Sequence, residues 1–327
     1  MTLQEIKTFL GKDWTDTDAL IRSSLKSDID LLDKTNEAIL SHSGKQLRPL
    51  VSLLVARACG GGKANGDSIR YAAASELLHN ATLLHDDVAD SSTERRGAPT
   101  VMSILGDPAS VLIGDFWLVK AMENILASSA HGPQVIRIFA KTLSCLAEGE
   151  MLQLQKAEGG DTDIEDYKRI IYNKTASLFE STAVSAAISV NASQECVEAV
   201  RNYAVSLGMA FQIKDDIFDY TDGQGLGKPV GIDLQERKIT LPLLGAFKNA
   251  SSEEEAAIRA KVTLIEDHPE YKTEIRTFVN EKCGVAYAVR VLNEYVAAAV
   301  EALSVLQPSA ERDYLAGIAG FTAYRDK

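Results

Sequence analysis

Apolar residues recur three and four positions apart over most of this chain, the spacing that lays them along one face of a helix. Residues 164–190, IEDYKRIIYNKTASLFESTAVSAAISV, carry the pattern, and 195–220 repeat it. It predicts further helices over about 16–40, 48–60, 66–90, 109–127, 134–156, 253–264 and 282–305. Alternation with a period of two, enriched in β-branched residues, is scarce, so no strand is predicted. Proline supplies the punctuation. None of the eight prolines lies between Pro133 and Pro229, which leaves room there for several unbroken helices. Gly60-Gly61-Gly62, Gly159-Gly160 and the stretch Gly223–Gly231 mark loops. No loop is long or biased enough to link domains, and no short fixed period indicates a solenoid. The reading is all-α, a single domain over residues 1–327.

Composition narrows the function classes. A chain of 327 residues that is 46% hydrophobic can bury a substantial core. The formal net charge of −12 argues against nucleic-acid binding, which needs a basic stripe. It leaves an anionic substrate open, because bound metal ions reverse the field around acidic residues. Cys59, Cys145, Cys196 and Cys283 are scattered and form no CxxC pair, so neither a zinc site nor a disulfide framework is expected. The opening MTLQEIKTFLGKDW lacks a signal-peptide core, and no segment approaches the ~20 apolar residues of a membrane span. A cytoplasmic protein is expected, one that a hydrophobic product could still bring into transient contact with a membrane surface.

The chemistry concentrates in two acidic segments. In LLHDDVADSSTERRG, residues 83–97, Asp86 and Asp90 stand one helical turn apart on one face, with Asp87 about 100° around. Carboxylates stacked in this way repel unless a cation neutralises them, and Mg²⁺ characteristically bridges one or two carboxylates to substrate phosphates. The plain alternative is a solvated acidic helix end, but the run follows the apolar stretch LLHNATLL, where unpartnered carboxylates are expensive. KDDIFDY, residues 214–220, then repeats the spacing with Asp215, Asp216 and Asp219, again after an apolar helix. Two such segments facing each other would line one acidic mouth around a diphosphate.

Basic residues accompany the acid. Arg95 and Arg96 follow the first motif, GKQLRP supplies Lys45 and Arg48, and GKPVGIDLQERKITLPL (227–243) supplies Lys228 and Lys238. Lys174 and Thr175 interrupt an otherwise apolar helix. Each alone reads as surface charge. Together they suggest two anion subsites, one reached through metal and one bound directly by cations.

These blocks, in this order, resemble the trans-type polyprenyl diphosphate synthase family: GKQLRP, HDDVADSSTERRG, the NKTA around Lys174, FQIKDDIFDY and GKPVGIDLQERKITLPL, spanning about residues 44–243. Ile232 departs from the pattern, standing where the family often has a polar residue. The resemblance implies a bundle of helices around a deep central cavity, usually a homodimer, with three Mg²⁺ ions per site when substrate is bound. It implies head-to-tail (1'-4) condensation of isopentenyl diphosphate with an allylic diphosphate primer, releasing pyrophosphate. Asp86, Asp90 and Asp215 would ligate Mg²⁺, with Asp87 and Asp219 in support. Arg95, Lys174, Thr175, Gln212, Lys228 and Lys238 would surround the allylic diphosphate. Lys45, Arg48, His79 and Arg96 would hold isopentenyl diphosphate.

In the family, bulky aromatics four or five positions before the first aspartate stop chain growth early. Here those positions hold the small residues Thr82 and Ala81, with Leu78 and Ser75 below them. A medium or long product, near octaprenyl, is expected, a farnesyl or geranylgeranyl product being the alternative. The plain reading is that Ala81 and Thr82 only let helices pack closely. Three rivals are weaker. A class I terpene cyclase has little use for a second diphosphate site. A di-iron bundle needs two ExxH motifs, and only Glu76 and His79 supply one. A non-catalytic partner subunit would carry degraded aspartate motifs.

Overall fold

The computed structural model describes residues 1–95, 97–128, 130–221 and 231–324. Helices begin where capping residues stand. Thr2, Asn65, Asp163 and Ser251 each accept a backbone N–H from the first turn and donate their own N–H to a side chain three residues on, the capping box. In chain order the helices are α1 (Leu3–Leu10), α2 (Lys12–Ser24), α3 (Asp30–Ser41), α4 (Leu47–Cys59) and α5 (Gly66–Ala89). A two-residue ladder follows, β1 (Glu94–Arg95) against β2 (Ala98–Pro99). Then come α6 (Val101–Leu105), α7 (Asp107–Leu126), α8 (Gly132–Gly159), α9 (Ile164–Ile171), a π-helical turn (Tyr172–Ala176), α10 (Ser177–Ser189) and α11 (Gln194–Tyr220). The chain closes with α12 (Ile232–Gln235), α13 (Leu241–Phe247), α14 (Ser252–Thr263), α15 (Tyr271–Glu281), α16 (Gly284–Ala302) and α17 (Ala310–Tyr324).

The all-α reading holds, with the short β1–β2 ladder as a small exception. The helix expected over about 16–40 is two helices. Asn36 donates to the Leu25 carbonyl at 2.8 Å, and Asp33 accepts the Ser27 N–H at 3.2 Å, so side chains satisfy the backbone of the break.

The chain divides into two compact units. The first comprises residues 1–140, 181–201 and 305–315. Its core holds Leu50, Leu53, Leu54, Tyr71 and Trp117, all fully buried, and Trp117 donates to Asn36 at 2.8 Å, which satisfies its indole N–H. Helix α5 is buried on nearly every side along its middle turns, where it carries polar side chains such as Ser75, Glu76 and Asn80 into the core beside its alanines and leucines. Cys59 and Cys196 meet in this unit as free thiols, and burial pushes the Cys59 thiol up to about 12. The second unit comprises residues 141–180, 202–304 and 316–327. Its core gathers Ile213, Ile217 and Tyr220 from α11, all of α13, and Ile275, Val279 and Leu292 from α15 and α16. Among the described residues no single helix is long and apolar enough to cross a membrane. Residues 271–281 and 284–305 pass that test only as a pair, bent by 64°.

Candidate active site

Helix α5 carries the first acidic motif to its C-terminal end. Asp86 is half-buried, Asp90 is exposed at the helix cap, and its N–H donates to the Asp86 carbonyl at 2.8 Å. Asp87 turns inward and is only 4% exposed. It is held by Arg95, whose Nε donates to Asp87 Oδ1 at 2.7 Å. The β1–β2 ladder makes this possible, because pairing Arg95 with Ala98 folds the arginine back toward the helix end. Arg95, expected to face an allylic diphosphate, therefore begins from a carboxylate partner. His79 lies half-buried on α5, two turns before Asp86. Lys45 and Arg48 flank the start of α4, Arg48 at 8% exposure. Gln46 between them adopts a left-handed conformation (φ 53°) and accepts from Lys7 Nζ at 2.9 Å. Arg96 lies outside the described residues.

The second motif ends α11 in the other unit. Asp215 and Asp219 are half-buried, while Asp216 points into the core at 3% exposure. Tyr167 OH donates to Asp216 Oδ2 at 2.6 Å and Gln212 Nε2 donates to Oδ1 at 3.0 Å. Burial pushes the Asp216 carboxyl up to about 7. The Tyr167 and Gln212 donors pull it down, and the Asp215 and Asp219 charges push it up again. Burial, followed by the Asp216 charge, likewise raises Tyr167 well above the ordinary phenol range.

Lys174 and Thr175 sit in the π-helical turn, an insertion often found at functional sites. Thr175 donates its hydroxyl to Gln212 Oε1 at 2.8 Å, so one chain of hydrogen bonds runs Thr175–Gln212–Asp216–Tyr167. Lys174 Nζ pairs with Glu150 of α8 at 2.5 Å. Two glycines allow the turn to pack. A Cβ on Gly149 would meet Asn173 Cβ at 2.7 Å, and one on Gly208 would meet Ala176 Cα at 2.5 Å. A cavity of about 120 Å³ collects Gln153, Lys174, Gln212, Asp216, Asp233 and Lys238. Lys238 pairs with Glu236. Lys228 lies outside the described residues.

Sequence reasoning missed Tyr167, Glu150 and Asp233. Asp233 lies within GKPVGIDLQERKITLPL, where no local pattern sets it apart. Burial, and then the Asp216 and Asp219 charges, hold its carboxyl well above the usual range, with Lys238 acting in the opposite direction.

The donor set suits magnesium. It consists of hard carboxylate oxygens at helix ends, and among the described residues no three carboxylate, histidine or cysteine side chains form a closed cage. Magnesium bound partly through substrate phosphates needs no such cage. Glu76, the carboxylate of the single ExxH pair, accepts instead from Asn80 at 3.2 Å in the core.

A nearly all-helical chain with an aspartate-rich end on each of two long helices, and a cavity lined by lysines and amides, has the architecture of an isoprenoid synthase. The chain belongs to the polyprenyl synthetase family, whose model matches residues 29–281, and it is a prenyltransferase. It is 36% identical to octaprenyl diphosphate synthase of Escherichia coli over 330 residues, covering 100% of both chains. Among solved structures it resembles a polyprenyl synthase from Caulobacter crescentus CB15, complexed with calcium and isoprenyl diphosphate. The TM-score is 0.91 and the identity 31%, covering 100% of this chain and 98% of that one. It also resembles a decaprenyl diphosphate synthase from Rhodobacter capsulatus, with TM-score 0.92, 30% identity and 99% of each chain covered.

Proposed function

We propose that this protein condenses isopentenyl diphosphate head to tail with an allylic diphosphate and releases pyrophosphate, building a trans-polyprenyl diphosphate near octaprenyl in length. The chain works as one catalytic domain, as a homodimer in the cytoplasm, with three magnesium ions bound alongside substrate. The observation that carries the reading is the π-helical turn, which delivers Lys174 to the cavity that also holds Gln212, Asp216 and Lys238, and sets Thr175 against Gln212.

Asp86, Asp90 and Asp215 would hold the magnesium, and Asp87 would support them by fixing Arg95. Magnesium, when bound, neutralises the diphosphate and acts as a Lewis acid on its oxygens. Lys174, Lys238, Lys228 and Arg95 bind the allylic diphosphate, so positive charge is already in place where negative charge develops as the C–O bond breaks. The Thr175–Gln212–Asp216 chain orients polar groups toward the allylic cation. Lys45, Arg48, His79 and Arg96 hold isopentenyl diphosphate so that its double bond attacks that cation. The proton lost in the final step goes to the departing pyrophosphate. A dry cavity protects the cation from water.

The test is chromatography of products made from farnesyl diphosphate, isopentenyl diphosphate and Mg²⁺. Elongation to products near octaprenyl is expected. Asp86→Ala or Asp215→Ala should lower turnover by about two to three orders of magnitude, the scale of removing preorganised charge stabilisation, with helical circular dichroism unchanged. Cyclised hydrocarbons, or near-normal turnover in either variant, would overturn the assignment.

A further inference from the structure

The last aspartate of the second motif is bonded to backbone through both oxygens. Asp219 Oδ1 accepts the N–H groups of Gly231 and Ile232, each at 2.9 Å, and Oδ2 accepts that of Asp233 at 3.1 Å. Gly231 is in the left-handed region (φ 84°, ψ 26°), where a side chain would strain the backbone and where successive N–H groups turn toward one anion. These are the first donors of α12, which has no side-chain cap of its own at Gly231. Asp219 supplies that cap from the end of α11.

The clamp reaches the cavity in one further step. The chain turns back after α12, and Lys238 N–H donates to the Asp233 carbonyl at 2.8 Å. Lys238 thereby returns to the cavity that holds Lys174, Gln212 and Asp216. A carboxylate offers about four lone-pair sites, and three are occupied here. Magnesium demands near-ideal octahedral geometry. Recruiting Asp219 as a ligand would leave it only the one remaining site, in a direction the three N–H bonds already fix, and any shift of the carboxylate to suit a metal would loosen the turn that presents Lys238.

We propose that Asp219 is a positioning residue: it fixes the Gly231–Asp233 turn and so holds Lys238 against the allylic diphosphate, leaving magnesium to Asp86, Asp90 and Asp215. The part concerning Lys238 rests on the reaction proposed above; the clamp itself does not.

Hydrogen–deuterium exchange on the full-length, magnesium-free and substrate-free protein tests the clamp. The amides of Gly231, Ile232 and Asp233 should be protected in the wild type and should exchange about tenfold or more faster in Asp219→Ala, as expected for lost charge-assisted bonds. Asp219→Asn keeps one carbonyl oxygen, so it should retain the two Oδ1 bonds, lose the third, and fall between. In steady-state kinetics, KM for the allylic diphosphate should rise about tenfold in Asp219→Ala, while KM for isopentenyl diphosphate and the magnesium activation constant stay within about twofold. Equal exchange in wild type and Asp219→Ala would overturn the proposal. So would a magnesium requirement about tenfold higher with the allylic KM unchanged. A wild type that makes no prenyl product would overturn the reaction but not the clamp, which the exchange comparison decides alone.

Discussion

Ala81 and Thr82 are adjacent in sequence but face different surroundings. The Tyr71 hydroxyl donates to Ser128, just past the end of α7, and the His85 ring lies where a Cβ on Gly114 of α7 would come within 2.4 Å of it. Tyr71, Leu78 and His85 are spaced by seven, and Ala81 lies one turn before His85, so this face of α5 is the seam with α7. Ala81 and Leu78 are each 1% exposed within it. Thr82 instead lies one turn before Asp86, half-buried, its hydroxyl donating to the His79 carbonyl at 2.8 Å. The two positions should therefore respond differently to bulk. Thr82→Phe should shorten the product ladder with little change in melting temperature. Ala81→Phe should overpack the seam and destabilise the fold by ~1–3 kcal/mol, read by thermal denaturation. Shorter products from Ala81→Phe at unchanged stability would reverse this assignment. Asp86, Asp90 and Asp215, the proposed metal ligands, were legible as candidates because the four-residue spacing within each motif needs only helix geometry to be read. Tyr167 and Glu150 were not, because their roles come from partners far away in sequence, and no local pattern marks them.

The π-helical turn is the element on which the candidate site depends, and it is packed from both sides. Gly149 of α8 and Gly208 of α11 each sit where a methyl group would collide with it. On the Gly208 side the obstacle is backbone, Ala176 Cα at 2.5 Å and its N at 3.2 Å, which cannot rotate away as a long side chain could. Gly208→Ala should therefore move the turn, destabilising the protein by ~1–3 kcal/mol and lowering kcat through displaced Lys174 and Thr175. Calorimetry together with steady-state kinetics checks both effects. Unchanged stability and rate would mean that the turn tolerates a shift of helix α11. The long helices were readable from apolar periodicity, and α4, α5, α7, α8 and α11 lie within a few residues of expectation. The π turn was not, since one extra residue per turn barely disturbs the apolar pattern across 164–190. Helix α13 escaped for the opposite reason. LPLLGAF is apolar throughout, so it shows no period, and only its burial on every side explains it.

At the scale of the whole molecule, the outer side of α7 calls for a partner. Its inner side buries Ser110, Ile113, Gly114, Trp117, Ala121 and Ile125. Leu112, Val119 and Leu126, spaced by seven on another side, remain 68%, 49% and 58% exposed. A helix at the surface of a monomer would place polar residues there. The stripe is interrupted by charge at Asp115, which is 3.3 Å from His85 on its own chain. The proposed homodimer would cover this stripe, and two-fold symmetry would make every substitution count twice. The wild type should sediment at twice the 35.4 kDa chain mass at micromolar concentration. Leu112→Glu combined with Val119→Glu would place four carboxylates in an apolar seam. It should weaken association by at least ~4 kcal/mol, about a thousandfold in dissociation constant, and yield a folded monomer. Sedimentation of the wild type at the single-chain mass would remove the dimer. A doubly substituted chain that still sediments at twice that mass would move the interface off α7.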